Sequence, residues 1–206
     1  MDAVVSGSLL AEVFITLFVI MDPPGTIPIF LALTSGVSPS ARRRASWQAV
    51  TVSLVVIVLF ALFGKQLLTY LHISLPALQG AGGLLLLLVA LQLLTGQEDE
   101  PVETKNVNVA MVPLGTPLLA GPGAIVATMV FTNRVHDVAT FDALAVGIIG
   151  VHVVLWLSMR YSLVILRVIR DSGVLLVTRI SGLLLSAIAV QLIADSVRAF
   201  VTGHTG

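Results

Sequence analysis

Asp22 stands beside three prolines in the run Met21-Asp22-Pro23-Pro24-Gly25-Thr26-Ile27-Pro28, within an otherwise apolar stretch. Three prolines in six residues cannot continue an ordinary helix, because each lacks an N–H and its ring collides with the preceding turn. The run predicts a break, with Asp22 as N-cap and Pro23 as the first residue of a new helix. A second run, Val112-Pro113-Leu114-Gly115-Thr116-Pro117-Leu118-Leu119-Ala120-Gly121-Pro122-Gly123, has its natural break at Gly121-Pro122-Gly123. Backbone freed inside a membrane must be satisfied by protein or water, and broken helices are where solute sites are built. The candidate binding residues are Asp22, Pro23, Pro24, Gly25, Thr26 and Pro28 in one run, and Pro113, Thr116, Pro117, Gly121, Pro122 and Gly123 in the other. Half-helix N-termini suit a carboxylate, phosphate or other anionic group. Asp22 suits a proton or a cation, or simply caps the half-helix behind it. Thr26 and Thr116 offer hydroxyls to a ligand or to backbone. The plainer reading of both runs is a pair of kinks that shape packing.

Other polar groups in apolar surroundings are few. Arg179 is placed to snorkel or to pair with Asp22. Gln92 and Gln191 could face one another, or a cavity. Glu12 and Asp195 fall nearer the ends of their apolar segments and read as interfacial. His72, His136, His152 and His204 show no metal-ligand spacing, and there is no Cys. No H-E-x-x-H, phosphate loop or G-x-S-x-G elbow occurs. The expectation is a protein that is not an enzyme, binds no metal or cofactor, and draws on a proton or sodium gradient if it pumps.

These residues must be positioned by a membrane fold. The chain has 206 residues, 57% hydrophobic and only 11% charged, against roughly 25% charged in soluble domains. Its mean hydropathy is +1.04. This excludes a soluble enzyme, a disordered chain and a nucleic-acid binder. Six segments are long enough to cross a bilayer, at 8–34, 46–64, 75–95, 108–132, 143–159 and 174–197. The run Leu84–Leu88 shows no in/out alternation, which argues against a β-barrel. Arg42, Arg43, Arg44, Lys105, Arg160, Arg167, Arg170 and Arg179 fall on or beside odd connections, and only Lys65, Arg134 and Arg198 on the other side. The positive-inside rule then puts both termini outside. Glu98, Asp99, Glu100 and Glu103 form an acidic cytoplasmic loop.

The chain also repeats. At an offset of 99, Gly83-Leu84-Leu85-Leu86 matches Gly182-Leu183-Leu184-Leu185, and Ala90 and Gln92 match Ala189 and Gln191. At an offset of 98, Pro24-Gly25 matches Pro122-Gly123. Three spans per copy is an odd number, so the second copy enters from the opposite face. The predicted fold is an all-α single membrane domain of two inverted three-helix repeats with broken first and fourth helices. Repeat one covers about 1–95, the acidic loop 96–107, and repeat two about 108–206. Gly80, Gly82, Gly83, Ser181 and Gly182 mark close helix crossings.

Asp22-Pro23-Pro24-Gly25-Thr26-Ile27-Pro28-Ile29-Phe30 resembles the D-P-x-G-x-x-P-x-F motif of the MarC family of bacterial membrane proteins. The run Pro113–Ile125 resembles that family's P-L-A-x-P-L-L-A-G-P-G-A-I motif, with Gly115 where Ala is common. The stretches at 73–77 and 81–83, and the last helix at 178–191, are similar too, so the resemblance spans the chain. It implies a six-helix protein of the bacterial inner membrane whose two motifs line a translocation route. Some relatives are classed as transporters of small neutral amino acids such as glycine and alanine. The expected partners are the lipid bilayer, a small solute and a homo-oligomer, with no nucleic acid. The leading reading is a secondary transporter or exporter of small solutes. The alternative is a structural or regulatory membrane subunit with no transport activity of its own.

Overall fold

The computed structural model describes residues 2–95 and 119–202. Among these residues the chain is helical, without strands: α1 (Asp2–Met21), α2 (Pro23–Leu33), α3 (Pro39–Leu71), α4 (Leu75–Thr95), α5 (Pro122–Thr132), α6 (Val138–Arg160) and α7 (Ser162–Thr202). The expected break falls where the prolines require it, at Asp22 between α1 and α2. Five of the helical stretches are long and apolar enough to cross a membrane: Gly7–Leu33, Pro39–Leu71, Leu75–Thr95, Val138–Arg160 and Ser172–Thr202. The expected fourth segment is described only from Leu119, and its short apolar helix is Pro122–Thr132.

The connections are shorter than the charges suggested. Helix runs through residues expected to be loop at 39–45, 65–71, 138–142 and much of 160–173. A charged side chain marks the edge of the hydrocarbon, whereas a helix ends only where its last polar groups find other partners. Ser38 accepts the Ala41 amide at 3.3 Å and opens α3 just before Pro39. His72, in a left-handed conformation (φ 55°), closes it. In the 160–173 region the helix pauses at Tyr161, and the backbone turns at Arg170 (φ 60°).

Asp137 opens α6 with a capping box. Its carboxylate accepts from the Thr140 hydroxyl at 2.6 Å and the Thr140 amide at 2.7 Å. These bonds, the hydroxyl first, hold the Asp137 pKa below its ordinary value. A carboxylate whose folded pKa is depressed contributes fully above its unfolded pKa and loses that contribution as pH falls through the folded one. Asp137→Ala is therefore expected to lower the melting temperature at pH 7, with the gap to the parent closing on acidification below about pH 4. A gap that persists unchanged at low pH would rule out the cap as its cause.

The core explains why α4 reads as continuous leucine. Only one stripe of it is buried, through Gly82, Gly83, Leu86 and Ala90, while Leu84, Leu85, Leu88 and Leu91 are exposed and suit lipid. Gly83 and Ala90 of this stripe face α7 closely, while Gly82 meets Val126 of α5. A β-carbon on Gly83 would lie 2.9 Å from the Ala189 carbonyl oxygen, and one on Gly182 would lie 3.2 Å from the Ala90 carbonyl oxygen. The two contacts are reciprocal, and they run antiparallel. Leu86, Ala90, Leu185 and Ala189 close this seam with Val19. A larger core joins α1, α2, α3, α5 and α6, with Val13, Leu17, Phe30, Ile57, Val151 and Leu155 at or near zero exposure. Trp47 of α3 and Trp156 of α6 meet edge to face, their centroids 5.8 Å apart, near the end that carries Arg42, Arg43 and Arg44. Tyr70 stands exposed toward the other end of α3. Tyr70 lies 23 positions after Trp47, about 35 Å along the helix, enough to set interfacial aromatics on both sides of a bilayer.

Candidate site at the broken helices

Asp22 is 15 residues from Gly7 and 11 from Leu33 along one apolar span, so it lies near mid-depth. It adopts a left-handed conformation (φ 41°, ψ 69°) and is buried at 8% exposure. Its backbone still follows α1, donating to the Phe18 carbonyl at 3.1 Å, and it accepts from the Thr26 amide at 3.0 Å. Pro23, Pro24 and Pro28 supply no N–H. The carbonyls of Val19, Ile20 and Pro24 therefore have no helical donor.

Asp22 holds the N-cap position, but its carboxylate does not close a cap ring onto α2. It lies instead against the Cα of Gly25, where a β-carbon would come within 2.9 Å of Asp22 Cγ. The Thr26 hydroxyl donates to the Asp22 carbonyl at 2.9 Å and so braces the break from within. Of the two uses expected for that hydroxyl, the structure displays the backbone one. Pro23 and Gly25 are buried, while Pro24 and Pro28 are half-buried.

The second break is built differently. Gly121 is extended (φ −63°, ψ 165°), and Pro122 starts α5 without a donor. The Ala124 and Ile125 amides both turn back to the Gly121 carbonyl, at 3.0 and 3.2 Å. Gly123 admits Leu86 of α4, whose Cγ would lie 2.6 Å from a β-carbon there. Pro122 is exposed, Gly121 half-buried and Gly123 buried. Pro113, Thr116 and Pro117 lie outside the described residues. Both breaks border one core, since Met21 and Phe30 share a buried cluster with Leu119, Ala120 and Ala124.

The chemistry of the two ends differs from a matched pair of anion sites. Both open on proline, which leaves fewer amide donors for an anion, and α2, with two prolines, is also fronted by a carboxylate. With carbonyls freed beside it, the first break suits a positive charge: an ammonium, a cation or a proton. An anionic group is better suited to the α5 end, where no carboxylate of the described residues shares the break.

The supporting groups are dispersed. Arg179 is exposed on α7, and no ion pair joins it to buried Asp22. Gln92 and Gln191 do not face one another. The register that sets Gly83 opposite Ala189 and Ala90 opposite Gly182 puts Gln92 level with residue 180, 11 residues from Gln191. That is about 16 Å along the axis. Gln191 instead donates to Asp195 at 2.8 Å.

The structure also assembles groups whose meeting was not legible from spacing. Arg134, just past α5, pairs with Glu12 of α1 at 2.7 Å, both half-exposed. Beneath them a cavity of about 200 Å³ is lined by Thr16, Gln79, Gln191 and Asp195. A second cavity, about 460 Å³, is lined by Lys65, Thr69, Ser74, Asn133 and His136 over Phe60 and Met129. Both lie toward the end opposite the three arginines. His152 is buried in α6, its Nδ1 2.8 Å from the Ile148 carbonyl and its Nε2 3.2 Å from Ser53 Oγ of α3. A carbonyl only accepts, so Nδ1 carries the proton, and in the neutral ring Nε2 accepts from Ser53. The one advance signal was the presence of Glu12, Asp195 and His152 in apolar segments.

Comparison with known proteins gives the family. Residues 7–201 match the family described as MarC family integral membrane protein. The chain is 34% identical over 192 residues to the UPF0056 membrane protein MJ1677 of Methanocaldococcus jannaschii, covering 90% of this chain and 94% of that one. It is 32% identical to the UPF0056 membrane protein YhcE of Escherichia coli, over 92% of each chain. It is 30% identical to the UPF0056 membrane protein YvbG of Bacillus subtilis, over 93% of this chain and 95% of that one. No solved structure matches the chain. With its apolar spanning helices and a match over nearly its whole length, the chain belongs to the MarC family of integral membrane proteins.

Proposed function

We propose that this protein is a secondary carrier of small solutes in the bacterial inner membrane, with small neutral amino acids such as glycine or alanine as the first substrates to test. One observation carries the reading: a buried carboxylate sits at a proline break in mid-span, beside carbonyls that no helix amide can reach. A charge at such depth costs about 2.5–3.5 kcal/mol on insertion scales, a cost that a packing kink does not require. For an amino acid, Asp22 and the Val19 and Ile20 carbonyls would take the ammonium, and the α5 end would take the carboxylate. The proposed chemistry is binding and passage.

Alternating access would follow from an inverted repeat, and three features support that reading. The half-helices α2 and α5 are both 11 residues long. The left-handed residues His72 and Arg170 stand at the same offset of 98 as Pro24 and Pro122. The Gly83–Ala189 and Gly182–Ala90 contacts exchange under the offset of 99, as an internal two-fold requires. Rocking of one repeat against the other would expose the breaks to each face in turn.

The charge bias supports both termini outside. Because the chain has no Cys, single cysteines at Ser40, Thr104 and Ser172 are expected to resist an impermeant thiol reagent added outside, while those at Ser74 and Asn133 react. The reverse pattern would invert the orientation.

Counterflow in proteoliposomes tests the function. Vesicles loaded with unlabelled glycine or alanine are expected to accumulate labelled solute only when they contain the protein. Failure with small neutral, basic and acidic amino acids, in protein shown to be folded, would set aside amino-acid transport and favour a structural or regulatory subunit.

A further inference from the structure

The half-helix α2 is tied to the rest of the chain at two ends of unlike strength. At its N-terminus the proline break leaves one residue, Asp22, to carry the chain from α1 in a left-handed conformation. The ladder across this joint is reduced to Asp22 N–H on Phe18 and Thr26 N–H on Asp22. Such a joint is a swivel. At the C-terminus stands Thr34, 2% exposed, whose hydroxyl donates to the Phe30 carbonyl at 2.6 Å. There the Arg42 guanidinium grips one residue twice: Nε donates to Thr34 Oγ1 at 3.2 Å, and Nη2 donates to the Thr34 carbonyl at 3.1 Å. A cation on the last carbonyl of a helix also meets the negative end of its dipole.

The sequence presents Arg42, Arg43 and Arg44 as equivalent. The structure separates them: Arg42 is half-buried on Thr34, while Arg43 and Arg44 are exposed. Charge bias alone would use all three alike. Only the planar fork of arginine makes two donors converge on one residue.

We propose that Arg42 is a positioning residue that pins α2, and that its release from Thr34 lets α2 turn about Asp22 and open the break toward the three-arginine end. The pin builds on the carrier reading. Hydrogen exchange needs no solute, however, so loss of the pin and loss of transport are read separately.

Hydrogen–deuterium exchange on the full-length protein in lipid nanodiscs tests this with Arg42→Gln, Arg43→Gln and Arg44→Gln, each of which removes one positive charge. In Arg42→Gln the α2 amides from Gly25 to Thr34 are expected to exchange about tenfold faster, the scale of one charge-assisted hydrogen bond in an opening equilibrium. The α6 amides should keep their rate, and so should α2 in the other two variants. Arg42→Lys restores charge without the fork and is expected to fall between. Thr34→Val, which removes an acceptor, is expected to speed α2 exchange, and Thr34→Ser to leave it unchanged. These two carry the test should Arg42→Gln not fold. Equal α2 exchange in the three glutamine variants would overturn the proposal. So would acceleration of α2 and α6 together, or equal rates in Thr34→Val and Thr34→Ser.

Discussion

Asp22→Asn is expected to reduce solute counterflow about a hundredfold, the loss that follows when a charged acceptor becomes neutral at a buried polar contact, while the protein stays folded. The variant separates charge from backbone. Asp22 is left-handed, and Asn is among the few residues besides Gly that adopt this conformation readily. Asp22→Ala would confound the two effects. A second variant moves the carboxylate without removing it. The Gly25 Cα face is where the Asp22 carboxylate lies, and a β-carbon there would stand 2.9 Å from Asp22 Cγ. Gly25→Ala must therefore displace the carboxylate, and is expected to impair counterflow in protein that still carries the charge. Full activity in Asp22→Asn would remove the carboxylate from the carrier mechanism and leave it the role of a backbone turn. Activity lost in Asp22→Asn but intact in Gly25→Ala would point to charge without precise placement, as for long-range attraction of a cation.

The second large effect concerns the seam between α4 and α7. Gly83→Ala is expected to destabilise the protein by about 2–3 kcal/mol, within the range of overpacked cores. A new β-carbon would stand 2.8 Å from Ile193 Cγ1, 2.9 Å from the Ala189 carbonyl oxygen and 3.2 Å from the Ile193 amide nitrogen. Two of these neighbours are backbone and cannot rotate away. Gly182→Ala is expected to cost less, about 1 kcal/mol, because its nearest neighbours stand at 3.1–3.2 Å and two are side-chain atoms of Leu93 and Leu94. Reversible unfolding in mixed micelles measures both. Equal and negligible costs would mean that the helices cross less closely than drawn, and would remove the reciprocal contact from the support for a two-fold repeat. Higher stability in either variant would contradict the seam outright.

The breaks were legible from sequence because proline acts locally. A missing N–H at Pro23, Pro24 and Pro122 is tolerated only in the first turn of a helix, so the end of α1 and the starts of α2 and α5 follow from residue type, while Pro28 is carried inside α2. The small residues of the close crossings were legible for a related reason: Gly83 and Gly182 in the seam, and Gly82 against Val126 of α5, stand where side chains would keep helices apart. Loop lengths were not legible, because Lys65 and Arg160 mark where a side chain must reach water and not where hydrogen bonding stops. The separation of Gln92 from Gln191 was hidden for a geometric reason. Matched positions in an antiparallel pair meet only if they lie at the crossing, and these two lie at opposite ends of it.

Composition and pattern by themselves determined that this is a helical membrane protein with spanning segments near those observed, and that its first span is interrupted at Asp22. Those properties depend on the solvent preference of apolar runs and the covalent chemistry of proline, both of which act within a few residues. Tertiary structure decided which polar groups meet. Arg42 grips Thr34, Arg134 pairs with Glu12, Ser53 holds His152, and Arg179 stays away from Asp22. All but the first of these join or separate different helices far apart in sequence. The partners are set by how helices rotate and cross about a core of Val13, Leu17, Phe30 and Leu155, and no spacing within a single helix encodes that rotation.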